Sequence, residues 1–249
     1  MEWIKPFFDT VAPWWGRPDR RESDVKRAKT IERLAGPGPK RILDLGTGSG
    51  STAAAMADLG HSVTAVELSP VRAAVARDFA AEVTERDMVV VEADLYTVEL
   101  DGTFDLVTYW NGFGVGTDAD QRRLLRRVSK TWLEPGGVMI MDVYSPWAWA
   151  RIAGETERTS QAIDLVNFND YDPVGNRFVD EWWPADDETR AVAQFGRCYT
   201  PPDLLLLLEG TGLRLDRVEV DGTPLDLDAK HDRNSPLWHS WDYRVTLVH

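Results

Sequence analysis

Asp44-Leu45-Gly46-Thr47-Gly48-Ser49-Gly50 follows the apolar run that begins at Arg41 and precedes an alanine-rich stretch. Glycines at alternate positions let a backbone turn tightly and approach a ligand that no side chain could clear. A dinucleotide fingerprint has glycines at its first, third and sixth positions, with a pyrophosphate on the helix N-terminus. Here the sixth position is Ser51 and the third glycine comes one residue early, at Gly50. The Asp44 carboxylate, two places before the first glycine, opposes a pyrophosphate. It suits a ligand carrying positive charge and an amine. Glu67 ends the next apolar run, Val63–Glu67, placed to accept from both hydroxyls of a ribose. Asp94 and Leu95 close the run from Val89, where a carboxylate can accept from an exocyclic amine.

Positioning these acids at one edge requires strands that end together. Strand candidates are Arg41–Leu45, Ser62–Val66, Met88–Val91, Phe104–Tyr109 and Gly137–Val143, separated by helical stretches Thr52–Leu59, Val71–Val83 and Asp118–Leu133. Strands apolar on both faces and separated by helices predict a doubly wound, mostly parallel α/β sheet, Rossmann-like, whose ligands bind at the carboxyl edge. Residues 36–145 together with 201–249 are expected to form this cofactor-binding core. Residues 1–35 read as an aromatic and helical cover. Residues 146–200 read as an inserted antiparallel β cover over the acceptor site, with β segments Ala162–Asn169, Arg177–Trp183 and Arg190–Tyr199. Leu204–Glu209 reads as a helix, and Leu213–Val220 and Trp241–Val248 as the last strands.

From Lys40 to about Tyr144 the chain resembles the class I S-adenosylmethionine-dependent methyltransferases of small-molecule type. The resemblance implies a seven-stranded sheet with an antiparallel last strand, and S-adenosyl-L-methionine as cofactor. It makes Asp44, Gly46, Gly48 and Gly50 the methionine-side cradle, gives Glu67 the ribose, and gives Asp94 with Leu95 the adenine. Leu68, Trp110 and Trp15 are expected beside them. Phe8-Asp9-Thr10-Val11-Ala12 is similar to the N-terminal segment that many such enzymes fold over the cofactor, although Trp14-Trp15 stands where they often show Tyr-Asp. The alternatives are a nicotinamide-dependent oxidoreductase, which Ser51 argues against, and a non-catalytic domain that binds S-adenosylmethionine.

Methyl transfer is an in-line displacement that depends on alignment, and an acidic hydroxyl or protonated amine also needs a base. Asn111, after the fourth strand, and Asp142 and Tyr144, at the end of the fifth, are the first candidates for the acceptor site. A nitrogen or oxygen of a small molecule is the expected acceptor. The sequence holds eleven tryptophans. Trp14, Trp15, Trp110, Trp147, Trp149, Trp182 and Trp183 fall around the expected pocket mouth, where indoles suit a flat ring or a cationic amine. His231 and His239 are candidate bases, and no histidine has metal-ligand spacing.

Composition bounds the rest. The net charge is −13 over 249 residues, and a surface of that sign repels phosphate backbones, excluding nucleic acid as the expected partner. The apolar run Leu204–Leu208 falls far short of the roughly 20 residues of a membrane helix, and no apolar stretch follows a basic start at Met1, so no secretory signal is expected. Cys198 is the single cysteine, which excludes an internal disulfide framework. A cytoplasmic protein without a membrane partner is expected, with a homodimer left open.

Overall fold

A computed structural model describes residues 2–19, 21–230 and 234–249. Its centre is an eight-stranded sheet in the order β11-β10-β12-β5-β4-β1-β2-β3. The first five strands, β1 (Arg41–Leu45), β2 (Ser62–Glu67), β3 (Met88–Glu92), β4 (Phe104–Phe113) and β5 (Leu133–Tyr144), run parallel. β12 (Asp242–Val248) inserts antiparallel between β5 and β10 (Arg214–Val220). The mostly parallel, Rossmann-like sheet with an antiparallel last strand is therefore present. It has one strand more than expected, because the two-residue β11 (Thr223–Pro224) folds back on the end of β10.

Helices cover both faces, as strands apolar on both sides demand. On one face lie α2 (Glu22–Ala35), α3 (Ser51–Asp58) and α4 (Pro70–Glu82), packed through Ala28, Ile31, Ala53 to Ala57, Ala76 and Phe79. The short side chains of α3 let it sit close to both the sheet and α2. On the other face, α5 (Asp118–Arg127) begins at a capping box, with Thr117 accepting from the Asp120 amide. The helix expected to continue to Leu133 widens after Arg127 into a π turn, Val128–Trp132, which drives Trp132 into the core with no exposure. α7 (Pro201–Leu208) packs beside it through Leu204, Leu207 and Leu208.

After α6 (Pro146–Arg151) the chain builds a separate antiparallel meander of β6 (Glu155–Ser160), β7 (Asp164–Asp172), β8 (Arg177–Pro184) and β9 (Val192–Arg197). β7, β8 and β9 overlap the expected segments. β6 does not. Its sequence is polar throughout, and it is recruited by backbone pairing with β7 alone.

The N-terminal prolines do not break the first helix, α1 (Ile4–Trp15). Pro6 sits in the first turn, where its missing N–H has no intrahelical partner anyway, and Pro13 falls in the last. α1 buries Phe7, Val11 and Trp14 in a cluster with Leu165 of β7. It is thereby wedged between the main sheet's helices and the inserted meander. Among the described residues, no helix is long and apolar enough to cross a membrane.

Candidate active site

A cavity of about 730 Å³ opens at the carboxyl edge of β1, β2, β3 and β4, under α1 and the meander. Asp44, Gly46, Glu67, Leu68, Asp94, Leu95, Trp110, Trp15, Asn111 and Tyr144 all line it. Gly48, Gly50 and Asp142 do not.

The two glycines are set back from the wall for steric reasons. Gly48 has φ +63, and a Cβ there would run into the Arg72 guanidinium. Gly50, at φ +81, precedes α3 in the left-handed region, with Ala76 2.8 Å from where its Cβ would stand. They shape the turn, and Gly46 brings the backbone to the cavity.

Asp44 is the most unusual group on the wall. It is buried, its Oδ1 accepts from the Thr108 hydroxyl at 2.6 Å, and its Oδ2 is buried without a hydrogen-bond partner. Burial pushes its carboxyl up to about 6, against the nearby Thr108 and Thr47 hydroxyls and Arg27, which pull the other way. An orphaned carboxylate oxygen in a cavity fits a cationic ligand group. Glu67, also buried, accepts from the Gly48 amide (2.7 Å, Oε2) and the Ser69 amide (2.8 Å, Oε1), which fix both oxygens in place. Asp94 is half-buried and accepts from the Tyr96 amide at 2.8 Å.

Asp142 corrects the simplest reading of its position. It is buried, accepts from Arg244 Nε at 2.9 Å, and lies 3.6 Å from Arg27 Nε. Both guanidinium groups lie over the Trp110 ring, at 4.9 Å for Arg244 and 6.0 Å for Arg27. Asp142 thus orients the arginines that brace Trp110, and Arg27 is the member that reaches the cavity. At the end of β4 the chain bulges, and Asn111 adopts φ +52 with its carbonyl accepting from the Tyr144 hydroxyl at 2.7 Å. Burial raises the Tyr144 phenol well above its ordinary range, so it is a hydrogen-bond donor and not a base. His239 does not line the cavity, and His231 lies outside the described residues. Among the described residues no group of three or more His, Cys, Asp or Glu could hold a metal ion.

Arg27, Asp24 and Arg72 line the cavity without having been expected to. Arg27 and Asp24 sit on α2, a helix of mostly polar sequence. Asp24 is in fact buried, accepting from the Thr52 hydroxyl at 2.6 Å. The signal available was one of position, since the helix that leads into β1 begins beside the glycine turn, where Asp24 meets Thr52. Arg72 stacks on Phe8 of α1 at 4.8 Å, and Ser69 donates to Asp9 at 2.6 Å, so the cover is tied to the start of α4.

Strand order, an antiparallel final strand and a cavity over a glycine turn flanked by strand-end acids define the class I S-adenosylmethionine-dependent methyltransferase fold. Residues 42–137 match the family model of methyltransferase domains. The cypemycin N-terminal methyltransferase of a Streptomyces species is 31% identical over 125 residues, 50% of this chain and 50% of that protein. The chain thus matches about half the length of that relative. Among solved structures, the CcbJ methyltransferase of Streptomyces caelestis superposes with a TM-score of 0.77 at 20% identity, covering 97% of each chain. The sugar N-methyltransferase KedS8 of a Streptoalloteichus species gives a TM-score of 0.63 at 20% identity, covering 97% of this chain and 92% of that one. At such identities the likeness establishes the fold alone, and here it extends over the meander and α1 as well as the core.

Proposed function

We propose that the protein is an S-adenosylmethionine-dependent methyltransferase acting on a nitrogen of a small molecule. The observation that carries this reading is the buried, unpartnered Oδ2 of Asp44 on the wall of a cavity that also presents Glu67 and Asp94. In this reading Asp44 holds the ligand's ammonium, Arg27 its carboxylate, Glu67 the ribose hydroxyls, and Asp94 with Leu95 the adenine. A nicotinamide cofactor fits less well, because the group facing the glycine turn is a carboxylate where a pyrophosphate needs N–H donors. When bound, S-adenosylmethionine supplies an electrophilic methyl group on a sulfonium.

The chain's own part is alignment and exclusion of water. Trp110, braced by Arg27 and Arg244, and Tyr144, tied to the Asn111 carbonyl, form a fixed wall at the reacting edge. The carboxylates on the cavity wall are Asp24, Asp44, Glu67 and Asp94, and no histidine lines it among the described residues. With Asp24 held by Thr52 and the other three carboxylates given to the cofactor, no free base is left on the wall, which favours an amine that arrives neutral over an alcohol that must first lose a proton. The relatives' names include an N-terminal methyltransferase and ubiquinone biosynthesis O-methyltransferases, so the preference for nitrogen rests on the chemistry of the wall. We assign cofactor binding to residues 36–145 with 201–249, and the cover of the acceptor to 1–35 and 146–200.

Two results are expected. S-adenosylhomocysteine, present at a hundredfold excess over its Kd, stabilises the fold by about 2.7 kcal/mol and raises Tm, whereas NAD does not. Thermal melts with each ligand check this, and a shift with NAD alone would contradict it. Glu67→Ala and Asp94→Ala each weaken S-adenosylmethionine binding by about 1–3 kcal/mol, the value of a charge-assisted hydrogen bond. Calorimetric titration measures the loss, and unchanged affinity in both variants would remove the assignment.

A further inference from the structure

Asn167 pairs across the strands with Trp182, and Asn169 with Asp180, so these four side chains share one face of the meander. Asp180 is only 7% exposed. Its Oδ1 accepts from Asn167 Nδ2 at 2.6 Å and its Oδ2 from Gln194 Nε2 at 2.5 Å. The Asn167 amide cannot be turned round. Its Nδ2 also donates to the Glu181 carbonyl at 3.1 Å, which only accepts, and its Oδ1 accepts from Asn169 Nδ2 at 3.0 Å. Asp180 Oδ1 is therefore an acceptor, and no lysine or arginine pairs with the carboxyl among the described residues. A desolvated carboxylate without a counter-ion is costly, and burial duly shifts its carboxyl upward.

This anion lies in an open groove of about 410 Å³, lined by Trp149, Trp182, Trp241, Glu155 and Glu157 as well. Among the described residues, no lysine or arginine lines the groove. Trp149, stacked on Phe178 at 4.3 Å, meets Trp241 edge to face at 5.3 Å, and the exposed Trp241 stands beside three carboxylates. Such a set suits an ammonium group. The groove adjoins the main cavity: Trp182 lines both, and Gln194, which holds Asp180, lines the cavity. A nitrogen about to be methylated must be unprotonated, so a counter-ion beyond Trp182 serves a different nitrogen.

We propose that the groove is a subsite for a second, protonated amine of the methyl acceptor, with Asp180 as its counter-ion and Trp149 and Trp241 as its aromatic walls. The assignment to an acceptor rests on the methyltransferase reading; the preference for an ammonium does not. The test is tryptophan fluorescence of the full chain, with and without saturating S-adenosylhomocysteine, titrated with 1,4-diaminobutane and with the neutral 1,4-butanediol. The diamine is expected to bind about tenfold or more tightly than the diol, a difference of about 1.4 kcal/mol. Asp180→Asn should abolish that preference while leaving S-adenosylhomocysteine affinity unchanged. Trp241→Ala, at a position 48% exposed and so tolerant of truncation, should weaken the diamine about threefold or more by loss of a cation–π contact. Equal affinity for diamine and diol, or a preference that survives both substitutions, would overturn the proposal. Failure of S-adenosylhomocysteine to bind would instead remove the cofactor assignment, and the titration without it would still decide the groove.

Discussion

Replacing Asp44 by asparagine is expected to stabilise the ligand-free protein at neutral pH while removing most of its affinity for S-adenosylmethionine. The Asp44 carboxyl titrates at about 6 in the fold, against an ordinary value of 3.8, because burial penalises the anion. The folded state therefore holds the proton more tightly than the unfolded chain. The stability this contributes is fully present below the unfolded value and is lost as pH rises through about 6. The shift corresponds to about 3 kcal/mol. Asparagine keeps an acceptor for the Thr108 hydroxyl and does not titrate, so the variant should gain on wild type by that amount, mostly between about pH 4 and about pH 6. Its loss of affinity should be about 1.5–3 kcal/mol, the worth of a hydrogen bond to a charged group. Urea unfolding across this pH range, together with calorimetry at neutral pH, checks both halves. A variant that binds normally, or a stability difference flat in pH, would show that Asp44 is an ordinary structural acid.

Removal of residues 1–18 should cut methyl transfer by about a hundredfold or more while leaving the main sheet folded, since small losses of alignment and water exclusion have effects of that size. The pairings of β1 to β5 involve nothing before Arg41. α1, by contrast, gives the cavity Ile4, Phe8, Ala12 and Trp15, and it holds the meander through the Trp14 carbonyl, which accepts from the Ala162 amide at 3.1 Å. Trp15 meets Trp182 edge to face at 5.5 Å. Without α1 the cavity loses a wall and Leu165 is uncovered. Circular dichroism and a transfer assay on the truncated protein test this. Normal transfer would assign these aromatics a purely architectural role.

The parts of the fold written in side-chain pattern were legible from the sequence. β1, β2 and β3 lie within a residue of expectation, whereas β4 runs on to Phe113 instead of Tyr109 and β5 begins at Leu133 instead of Gly137. β6 carries no apolar alternation, since it is an exposed edge strand held by main-chain pairing to β7. α1 was obscured by Pro6 and Pro13, which look like breakers until their places in the first and last turns are known. At the site, acids at strand ends could be read because topology brings such ends together. Asp142 has the same sequence position relative to β5, yet Arg244 of β12 and Arg27 of α2 neutralise it. Those partners lie about a hundred residues away on either side, beyond the reach of local pattern. Arg27 and Asp24 were hidden for the converse reason, being charged residues on a helix whose inward face no periodicity marked as polar.

The most direct test of the account is a crystal structure of the protein with S-adenosylhomocysteine. The account predicts the ligand's ammonium within hydrogen-bond distance of Asp44 Oδ2, its ribose hydroxyls on Glu67, and its adenine beside Asp94 and Leu95, beneath α1. A ligand bound elsewhere, or with a different group facing Asp44, would contradict it.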